Sequence, residues 1–219
     1  MTGDQRDFTP AAGHGGALAR YDEGVRAYTR EAEWRPLMVA RIDPQPGQLI
    51  VDIGAGTGTL AVALAQRCPG ARIVACDPDP APLAIAHARA EAAGAAIEWR
   101  QGFAGDEDWP AGTVDHATCS LVLHQVPTGE KRRLIQAMGR WTAGRGTIHI
   151  ADYARQRGTM RQRFRATVQA GDGIEDTQPN ADGMLELIFA ELKFRRIGRD
   201  RHFRTRSGRF SLFSRQALS

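Results

Sequence analysis

One segment of this 219-residue sequence reads Val51-Asp52-Ile53-Gly54-Ala55-Gly56-Thr57-Gly58-Thr59-Leu60. An apolar run at 49–53 leads into it and an Ala- and Leu-rich run at 59–67 follows, a pattern that predicts a buried strand, a glycine turn and a helix. Glycine permits a sharp turn and a close approach of the backbone to a ligand. The free N–H groups at the start of a helix favour a carboxylate or a phosphate. The segment therefore predicts a ligand-binding loop.

The remainder of the sequence alternates between short apolar runs and helical patterns. This alternation predicts an α/β fold, in which a parallel sheet has helices on both faces. Two runs at 195–202 and 209–214 predict a closing antiparallel hairpin around Arg206-Ser207-Gly208. The other predicted strands are 49–53, 72–76, 96–100, 114–121 and 146–151, and the predicted helices are 18–42, 59–67, 80–93, 128–138 and 184–192.

Three parts of the chain are predicted to differ in organisation. Residues 1–17 are rich in Gly, Ala and polar residues without periodicity, which indicates a loose N-terminus. Residues 18–219 are expected to form a single domain that begins with a helical cap, 18–46, interrupted at Pro36. Residues 153–183 are polar and broken by glycine, and we expect them to face the substrate.

Composition predicts a soluble, cytoplasmic protein. No apolar run approaches the ~20 residues that span a bilayer, and the N-terminus lacks a charged-then-apolar signal pattern. Cys68, Cys76 and Cys119 are scattered, which indicates free thiols in a reducing compartment. We predict no metal site, because the sequence shows no His, Asp, Glu or Cys cluster at metal-ligand spacing.

Charge is distributed unevenly along the chain. Residues 1–150 carry 15 Lys and Arg against 17 Asp and Glu, whereas residues 151–219 carry 14 against 8. The basic second part suits an anionic substrate or a nucleic acid. Nearly all its basic residues are Arg in an Ala- and Gly-rich chain, so genomic composition accounts for part of the excess.

The spacing of the glycines and of two acidic residues limits which ligands the loop can bind. A dinucleotide-binding loop would place its third glycine at Thr59, and a P-loop would end in Gly-Lys-Ser/Thr. Asp52 would repel a pyrophosphate but accept hydrogen bonds from an ammonium group. Asp77 ends the second strand, where its carboxylate can accept both hydroxyls of a ribose, or else serves the turn at 77–80. S-adenosylmethionine fits this pattern because it carries an ammonium and a sulfonium but no phosphate.

In these residues and their spacing, the chain resembles a class I S-adenosylmethionine-dependent methyltransferase. The resemblance is to the small-molecule type, which includes the quinone-pathway C-methyltransferases. The resemblance extends from Tyr21 to Ser214. It implies a Rossmann-like methyltransferase fold with a seven-stranded, mostly parallel sheet ordered 3-2-1-4-5-7-6, whose last strand is antiparallel. It also implies S-adenosyl-L-methionine as cofactor and S-adenosyl-L-homocysteine as product.

The resemblance implies a cofactor site in four parts. The glycine loop surrounds the methionine moiety, Asp77 binds the ribose, residues 101–104 line the adenine, and residues 119–124 lie beneath the methyl donor. Many relatives have Asp or Ser where Phe103 stands, so the adenine contact would fall to the Ala104 amide or to Asp106. The predicted cofactor-binding residues are Asp52, Gly54, Ala55, Gly56, Thr57, Gly58, Asp77, Pro78, Gly102, Phe103, Ala104, Ser120 and Leu121.

Methyl transfer depends mainly on alignment of the acceptor with the methyl group, and it requires a base only if the acceptor must lose a proton. His124 follows the fourth strand at the carboxyl edge of the sheet, where it can act as a base or orient the acceptor. Alternatively it packs against the Val126-Pro127 turn. We therefore assign no catalytic residue. The predicted substrate-binding residues are Tyr21, His124, Asp152 and Tyr153.

The predicted function is transfer of a methyl group to an O, N or C nucleophile of a small molecule. One alternative is an RNA or other nucleic-acid methyltransferase that uses the Arg-rich region Arg195–Arg215. Another is a non-catalytic module that keeps the cofactor pocket. A nicotinamide oxidoreductase is disfavoured because the third glycine is Gly58 and not residue 59.

Overall fold

The computed structural model describes residues 18–103 and 109–217; the predicted loose N-terminus at 1–17, Ala104 and Asp106 lie outside them. No helix in these ranges is both long enough and apolar enough to cross a bilayer. The strands are β1 (Leu49–Ile53), β2 (Arg72–Asp77), β3 (Glu98–Gln101), β4 (His116–Ser120), β5 (Thr147–Tyr153), β6 (Arg195–Arg196), β7 (Arg201–Thr205) and β8 (Gly208–Gln216). The α-helices are α1 (Tyr21–Thr29), α2 (Glu31–Ile42), α3 (Thr59–Arg67), α4 (Pro80–Ala92), α5 (Thr128–Trp141), α6 (Gly158–Ala166), α7 (Val168–Asp172), α8 (Thr177–Asp182) and α9 (Met184–Glu191).

One sheet joins all of these strands, in the order β3-β2-β1-β4-β5-β8-β6, with β7 also paired to β8. The five strands β1 to β5 pair in parallel, and β8 runs antiparallel to β5. Two buried apolar clusters contain residues of the helices as well as of the sheet. The predicted α/β fold with a mostly parallel sheet and antiparallel C-terminal strands is confirmed. Because β1 lies near the centre, the glycine loop that follows it opens at the middle of the carboxyl edge.

The number of strands corrects one prediction. The described residues contain eight strands, not seven, because the strand predicted at 195–202 is interrupted between β6 and β7. Gly198 has a φ of 69°, a backbone conformation that ends the extended run. Asp200 then pairs with Arg215 of β8, with Oδ1 accepting from Nη1 at 2.6 Å. Since β6 and β7 both pair with β8, the strand order still agrees with the one predicted.

The N-terminal helical cap also breaks at a different residue from the one predicted. Arg30 has a φ of 61° and separates α1 from α2, whereas Pro36 lies inside α2. The proline ring keeps a helical φ and removes one backbone donor, a loss that packing of the helix offsets. Trp34 and Met38, one turn apart on α2, are both fully buried. The break lets α1 turn back over the glycine loop.

Residues 153–183, predicted as a polar, glycine-broken segment that faces the substrate, contain three short helices. These are α6, α7 and α8, and α6 packs against β8. Strand β5 continues two residues beyond the predicted 146–151, through Asp152 and Tyr153. The short helices follow β5 directly and stand beside the carboxyl edge of the sheet.

Candidate functional site

Three glycines shape the loop between β1 and α3. Gly54, Gly56 and Gly58 have φ values of 64°, 53° and 75°, which L side chains rarely adopt. A Cβ on Gly54 would lie 2.2 Å from Cγ2 of Val122, and one on Gly58 would lie 2.7 Å from the Trp99 ring. At Gly56 the same Cβ would meet nothing within 4 Å. Gly54 and Gly58 are thus required by packing, and Gly56 is open to a ligand.

Asp77 braces this loop from the end of β2. Its Oδ2 accepts the Gly56 N–H at 2.8 Å and its Oδ1 accepts the Asp79 N–H at 2.9 Å. Burial raises the pKa of Asp77 above its ordinary value. Asp79 caps α4 by accepting the Ala81 N–H at 2.9 Å, in agreement with a turn role. Each Asp77 oxygen keeps a second lone pair, so ribose binding is compatible with the bracing and stays a prediction.

Asp52 lies beneath the loop on β1 and is 1% exposed. Its Oδ1 accepts the Thr118 hydroxyl at 2.6 Å, while its Oδ2 is buried without a hydrogen-bond partner among the described residues. Burial raises the pKa of Asp52 to about 6, although the Thr118 hydrogen bond opposes the shift. A buried carboxylate oxygen without a donor is costly, and a ligand ammonium would relieve that cost.

This burial predicts an effect of Asp52→Asn on stability. A folded-state pKa of about 6 against an ordinary 3.8 means that ionised Asp52 costs up to about 3 kcal/mol of stability at pH 8. The asparagine removes the charge but buries amide N–H groups, so we expect a net gain of about 1–2 kcal/mol.

The direction of the pH dependence follows from the raised pKa of Asp52. Stability linked to Asp52 is present below its ordinary pKa and is lost as the pH rises through about 6. Denaturant unfolding should therefore show the gain of Asp52→Asn at pH 8 and little difference near pH 4. A variant less stable than wild type at pH 8 would contradict the burial argument.

Helix α1 covers the glycine loop and is fastened to it. The Thr57 hydroxyl donates to Asp22 Oδ1 at 2.7 Å, and Arg89 pairs with Asp22 and donates to the Thr57 carbonyl at 2.6 Å. The space between α1 and the loop measures about 20 Å³, which is room for about one water molecule. A cofactor-sized ligand does not fit this space in the present position of α1. The predicted cofactor residues bordering this space are Gly54, Ala55, Gly56, Thr57, Ser120 and Leu121.

Arg35 of α2 also borders this space. Its side chain is 13% exposed, pairs with Glu31 at 2.7 Å, and lies 4.5 Å above the Trp34 ring. The Glu31–Arg35 spacing of four residues on a helix was the available signal for the ion pair. The position of Arg35 at the loop depends on the break at Arg30, which the sequence did not indicate.

The predicted adenine-side residues lie where β2 and β3 end. The Gly102 N–H donates to the Asp77 carbonyl at 3.0 Å, which brings the two strand ends together. Pro78 and Phe103 are half-buried. Their contact with a cofactor stays a prediction.

A larger cavity, of about 510 Å³, opens beside the glycine loop. Tyr21, Val25 and Leu121 line both this cavity and the space under α1, so the two are neighbours. Leu121 has a φ of 60° just after β4, which turns the chain into the loop that carries His124. The cavity has the size of a small-molecule site. Its further lining residues include His124, Tyr153, Asp172 and Ser207.

His124 lies between two carboxylates on the cavity wall. Its Nδ1 is 2.8 Å from Asp152 Oδ1, and its Nε2 is 3.3 Å from Asp172 Oδ2. Burial alone lowers the pKa of His124, but Asp152 and Asp172 outweigh it and raise the pKa to about 9. The ring is therefore an imidazolium at neutral pH, a hydrogen-bond donor and cation and not a free base.

Asp152 and Tyr153 differ in how they relate to the cavity. Asp152 is fully buried, accepts from His124 and from the Tyr153 N–H at 2.6 Å, and is not among the residues that line the cavity, so its contact with substrate stays a prediction. Strand β5 extends through it and points its side chain at His124. Tyr153 lines the cavity and its hydroxyl bonds the Ser207 hydroxyl at 2.7 Å. Burial raises the pKa of Tyr153, as it does that of Tyr21.

Asp172 and Ser207 were missed by the sequence reasoning. Asp172 lies on α7, in the segment that showed no periodicity, and Ser207 lies in the turn between β7 and β8. Neither residue type nor spacing marks them, because both reach the cavity through tertiary packing. Within residues 18–103 and 109–217, no group of three or more His, Cys, Asp or Glu is arranged to hold a metal ion.

Sequence comparison shows which known proteins this chain resembles. The model of one family, described as a methyltransferase domain, matches residues 50–146. A ubiquinone biosynthesis O-methyltransferase of Pseudomonas aeruginosa (strain UCBPP-PA14) is 34% identical over 137 residues, covering 58% of this chain and 57% of the relative. A demethylmenaquinone methyltransferase of Thermus thermophilus is 32% identical over 114 residues, covering 51% and 52%. The chain thus spans a little over half the length of these curated relatives.

Structure comparison supports the fold. A magnesium protoporphyrin IX methyltransferase from Synechocystis PCC 6803, solved with bound S-adenosylhomocysteine, superposes with a TM-score of 0.68 at 16% identity. The match covers 95% of this chain and 91% of that one. At this identity the likeness concerns the fold alone.

The loop geometry, the sheet order and the matched family agree. The resemblance stated from the glycine loop and the two acids is confirmed by the domain match at residues 50–146 and by the quinone-pathway relatives. Residues 50–146 therefore match a methyltransferase-domain family, and the chain resembles the class I S-adenosylmethionine-dependent methyltransferases in its fold and in these relatives.

Proposed function

We propose that this chain transfers a methyl group from S-adenosylmethionine to a small-molecule acceptor and releases S-adenosylhomocysteine. One observation carries the proposal: a glycine loop with a partnerless buried Asp52 oxygen adjoins a cavity of about 510 Å³, and Tyr21 and Leu121 line both. Methyl transfer needs a donor and an acceptor held next to each other in line. Two adjoining sites supply that arrangement.

The residues at the loop fit the cofactor. The Asp52 carboxylate suits its ammonium group, Gly56 leaves room for close approach, and Asp77 retains lone pairs for two ribose hydroxyls. When bound, the cofactor supplies an electrophilic methyl group on a sulfonium. Helix α1 of the cap at 18–46 must first move outward, and its return would exclude water from the site. Helices α6 and α7 of the segment 153–183 help to line the acceptor cavity, which supports its substrate-facing role.

Calorimetry tests the cofactor assignment. We expect S-adenosylhomocysteine to bind with a dissociation constant in the micromolar range, roughly −8 kcal/mol, and NAD(H) and NADP(H) to show no binding. The reason is that Asp52 attracts an ammonium and repels a pyrophosphate. Tight dinucleotide binding without S-adenosylhomocysteine binding would overturn the proposal.

The relatives point to the kind of acceptor. Two of them are named for ubiquinone and menaquinone biosynthesis, so a quinone-type small molecule is the first acceptor to test. Incubation with methyl-labelled cofactor and fractionated native extract, followed by identification of the labelled product, would name it. Cofactor binding without labelling in any fraction would favour the non-catalytic module instead.

Internal contacts use part of the positive charge that suggested a nucleic-acid partner for the basic C-terminal part. Several of its arginines serve internal contacts: Arg215 and Arg196 pair with Asp200, and Arg163 donates to the Thr205 carbonyl at 3.0 Å. Arginines committed to such contacts are less available to phosphates. RNA binding that weakens steeply with salt would favour the nucleic-acid alternative.

We propose a cytoplasmic location as well. Cys68, Cys76 and Cys119 are free thiols, the form that persists in a reducing compartment. Fractionation of cells that express the natural protein tests this location.

A further inference from the structure

The two carboxylates that bracket His124 are not equivalent. Asp152 is fully buried on β5, and besides His124 Nδ1 it also accepts the backbone N–H groups of Tyr153 at 2.6 Å and of His124 at 3.3 Å. It therefore fixes the ring with Nε2 facing away from the sheet. Asp152 acts through His124 and is a positioning residue.

Asp172 holds the other side of the ring more loosely. Its Oδ2 is 3.3 Å from Nε2, against 2.8 Å on the Asp152 side, and its side chain is 18% exposed. It lines the cavity together with His124, on a helix of only five residues that ends before Gly173. A molecule inside the cavity can thus reach Nε2 by displacing this one carboxylate.

The charges around the ring favour an anionic replacement. His124 and Arg20 line the cavity as cations, and Asp172 is the carboxylate among the described lining residues. Behind the ring, buried Lys131 donates to the Asp176 carbonyl at 2.8 Å and lies 3.5 Å from the His124 carbonyl. If a neutral group displaced Asp172, the His124 imidazolium would keep Asp152 as its one carboxylate partner among the described residues. An anionic oxygen in the place of the Asp172 carboxylate leaves the net charge around the ring unchanged.

The other residues that line the cavity indicate the chemistry of the remainder of the ligand. Tyr21, Val25, Leu121, Tyr153 and Val168 present aromatic and aliphatic surface to the cavity. Such surface suits an apolar or aromatic ring attached to the charged group.

We propose that the acceptor carries an acidic oxygen, either a carboxylate or an ionised hydroxyl, on an apolar body, and that this oxygen takes the place of the Asp172 carboxylate at His124 Nε2. This inference rests on the proposed function, since it identifies the cavity as the acceptor site. In this arrangement Asp172 keeps the imidazolium paired until the acceptor arrives.

Small aromatic probes test the exchange in the full-length protein. Binding of benzoate, of 4-nitrophenolate and of the neutral isostere benzamide is measured in wild type, in Asp172→Asn and in Glu175→Gln. Glu175 is an exposed carboxylate just beyond α7 and is the matched control. We expect Asp172→Asn to tighten binding of at least one anion about five- to fiftyfold, with benzamide within about twofold. The control should behave as wild type.

The anion that gains affinity distinguishes the two sources of the acidic oxygen. Unchanged or weaker anion binding in Asp172→Asn, an equal gain for benzamide, or no anion binding in any variant would overturn the inference. Melting temperatures of the three proteins report whether the substitution has disturbed the fold. Calorimetry with S-adenosylhomocysteine on the same samples separates the two ideas, because loss of cofactor binding would count against the proposed function and not against the anion exchange.

Discussion

Replacing His124 with alanine is expected to lower kcat/KM by on the order of 10²–10³-fold, the usual effect of removing one preorganised donor. The pKa of about 9 makes His124 a cationic donor at neutral pH, placed on the wall of the cavity of about 510 Å³ that we propose for the acceptor. S-adenosylhomocysteine affinity should stay within about twofold, because His124 lines the cavity and not the space under α1.

Alanine also leaves the buried Asp152 carboxylate without its cation, which costs about 3–5 kcal/mol in comparable buried pairs. His124→Asn is therefore the better test. Its amide can donate to Asp152 from near the Nδ1 position, but it does not extend to the Nε2 position. We expect the asparagine variant to be more stable than the alanine variant and equally impaired in turnover. An asparagine variant with wild-type kinetics would show that His124 is structural.

The raised pKa of His124 also makes stability and turnover depend on pH. Because the folded-state pKa of His124 is raised from 6.5 to about 9, its ion pairs stabilise the fold fully below pH 6.5 and lose that contribution as the pH rises through about 9. If the imidazolium is the active form, kcat/KM should fall over the same upper range. A free base with an ordinary pKa would instead give activity that rises between pH 6 and 7.

Local patterns were sufficient to predict the strand, the turn and the helix around the glycine loop. The strand, the glycine turn and the helix from 49 to 67 have the predicted bounds, and Asp52 and Asp77 lie where the spacing placed them. Each depends on neighbours in sequence, such as an apolar run or glycines with positive φ. The parallel sheet then brings the ends of β1, β2 and β4 to one edge without further information.

The surroundings of His124 could not be predicted, because they depend on tertiary packing that no local sequence pattern encodes. Asp172 meets His124 because α7, a single short turn, is held between α6 and α8. Such short polar helices lack enough turns to show an apolar period. The predicted fifth strand ended at residue 151, whereas β5 continues through Asp152, whose buried side chain meets His124. The error in strand number likewise arose from one glycine, Gly198.

Asp77→Ala is expected to weaken S-adenosylhomocysteine binding by about 1.5–3 kcal/mol, roughly 10- to 150-fold, the scale of hydrogen bonds to a charged group. The loss combines two causes. One is the missing acceptor for the ribose, and the other is release of the Gly56 N–H that Asp77 holds at 2.8 Å. Stability should fall as well, because the Asp79 N–H loses its partner at 2.9 Å.

Asp79→Ala is the control for the turn, since it removes a neighbouring carboxylate and leaves both roles of Asp77 intact. It removes the cap on the Ala81 N–H, so about 1 kcal/mol of stability should be lost while affinity stays within about twofold. If Asp77 were a turn residue alone, the two variants would behave alike, with lowered melting temperatures and near-normal affinity. If Asp77 acts at the site, by holding the Gly56 N–H or by binding the ribose, only Asp77→Ala will lose affinity, and that loss will exceed what its lower stability explains, because calorimetry is performed well below both melting temperatures.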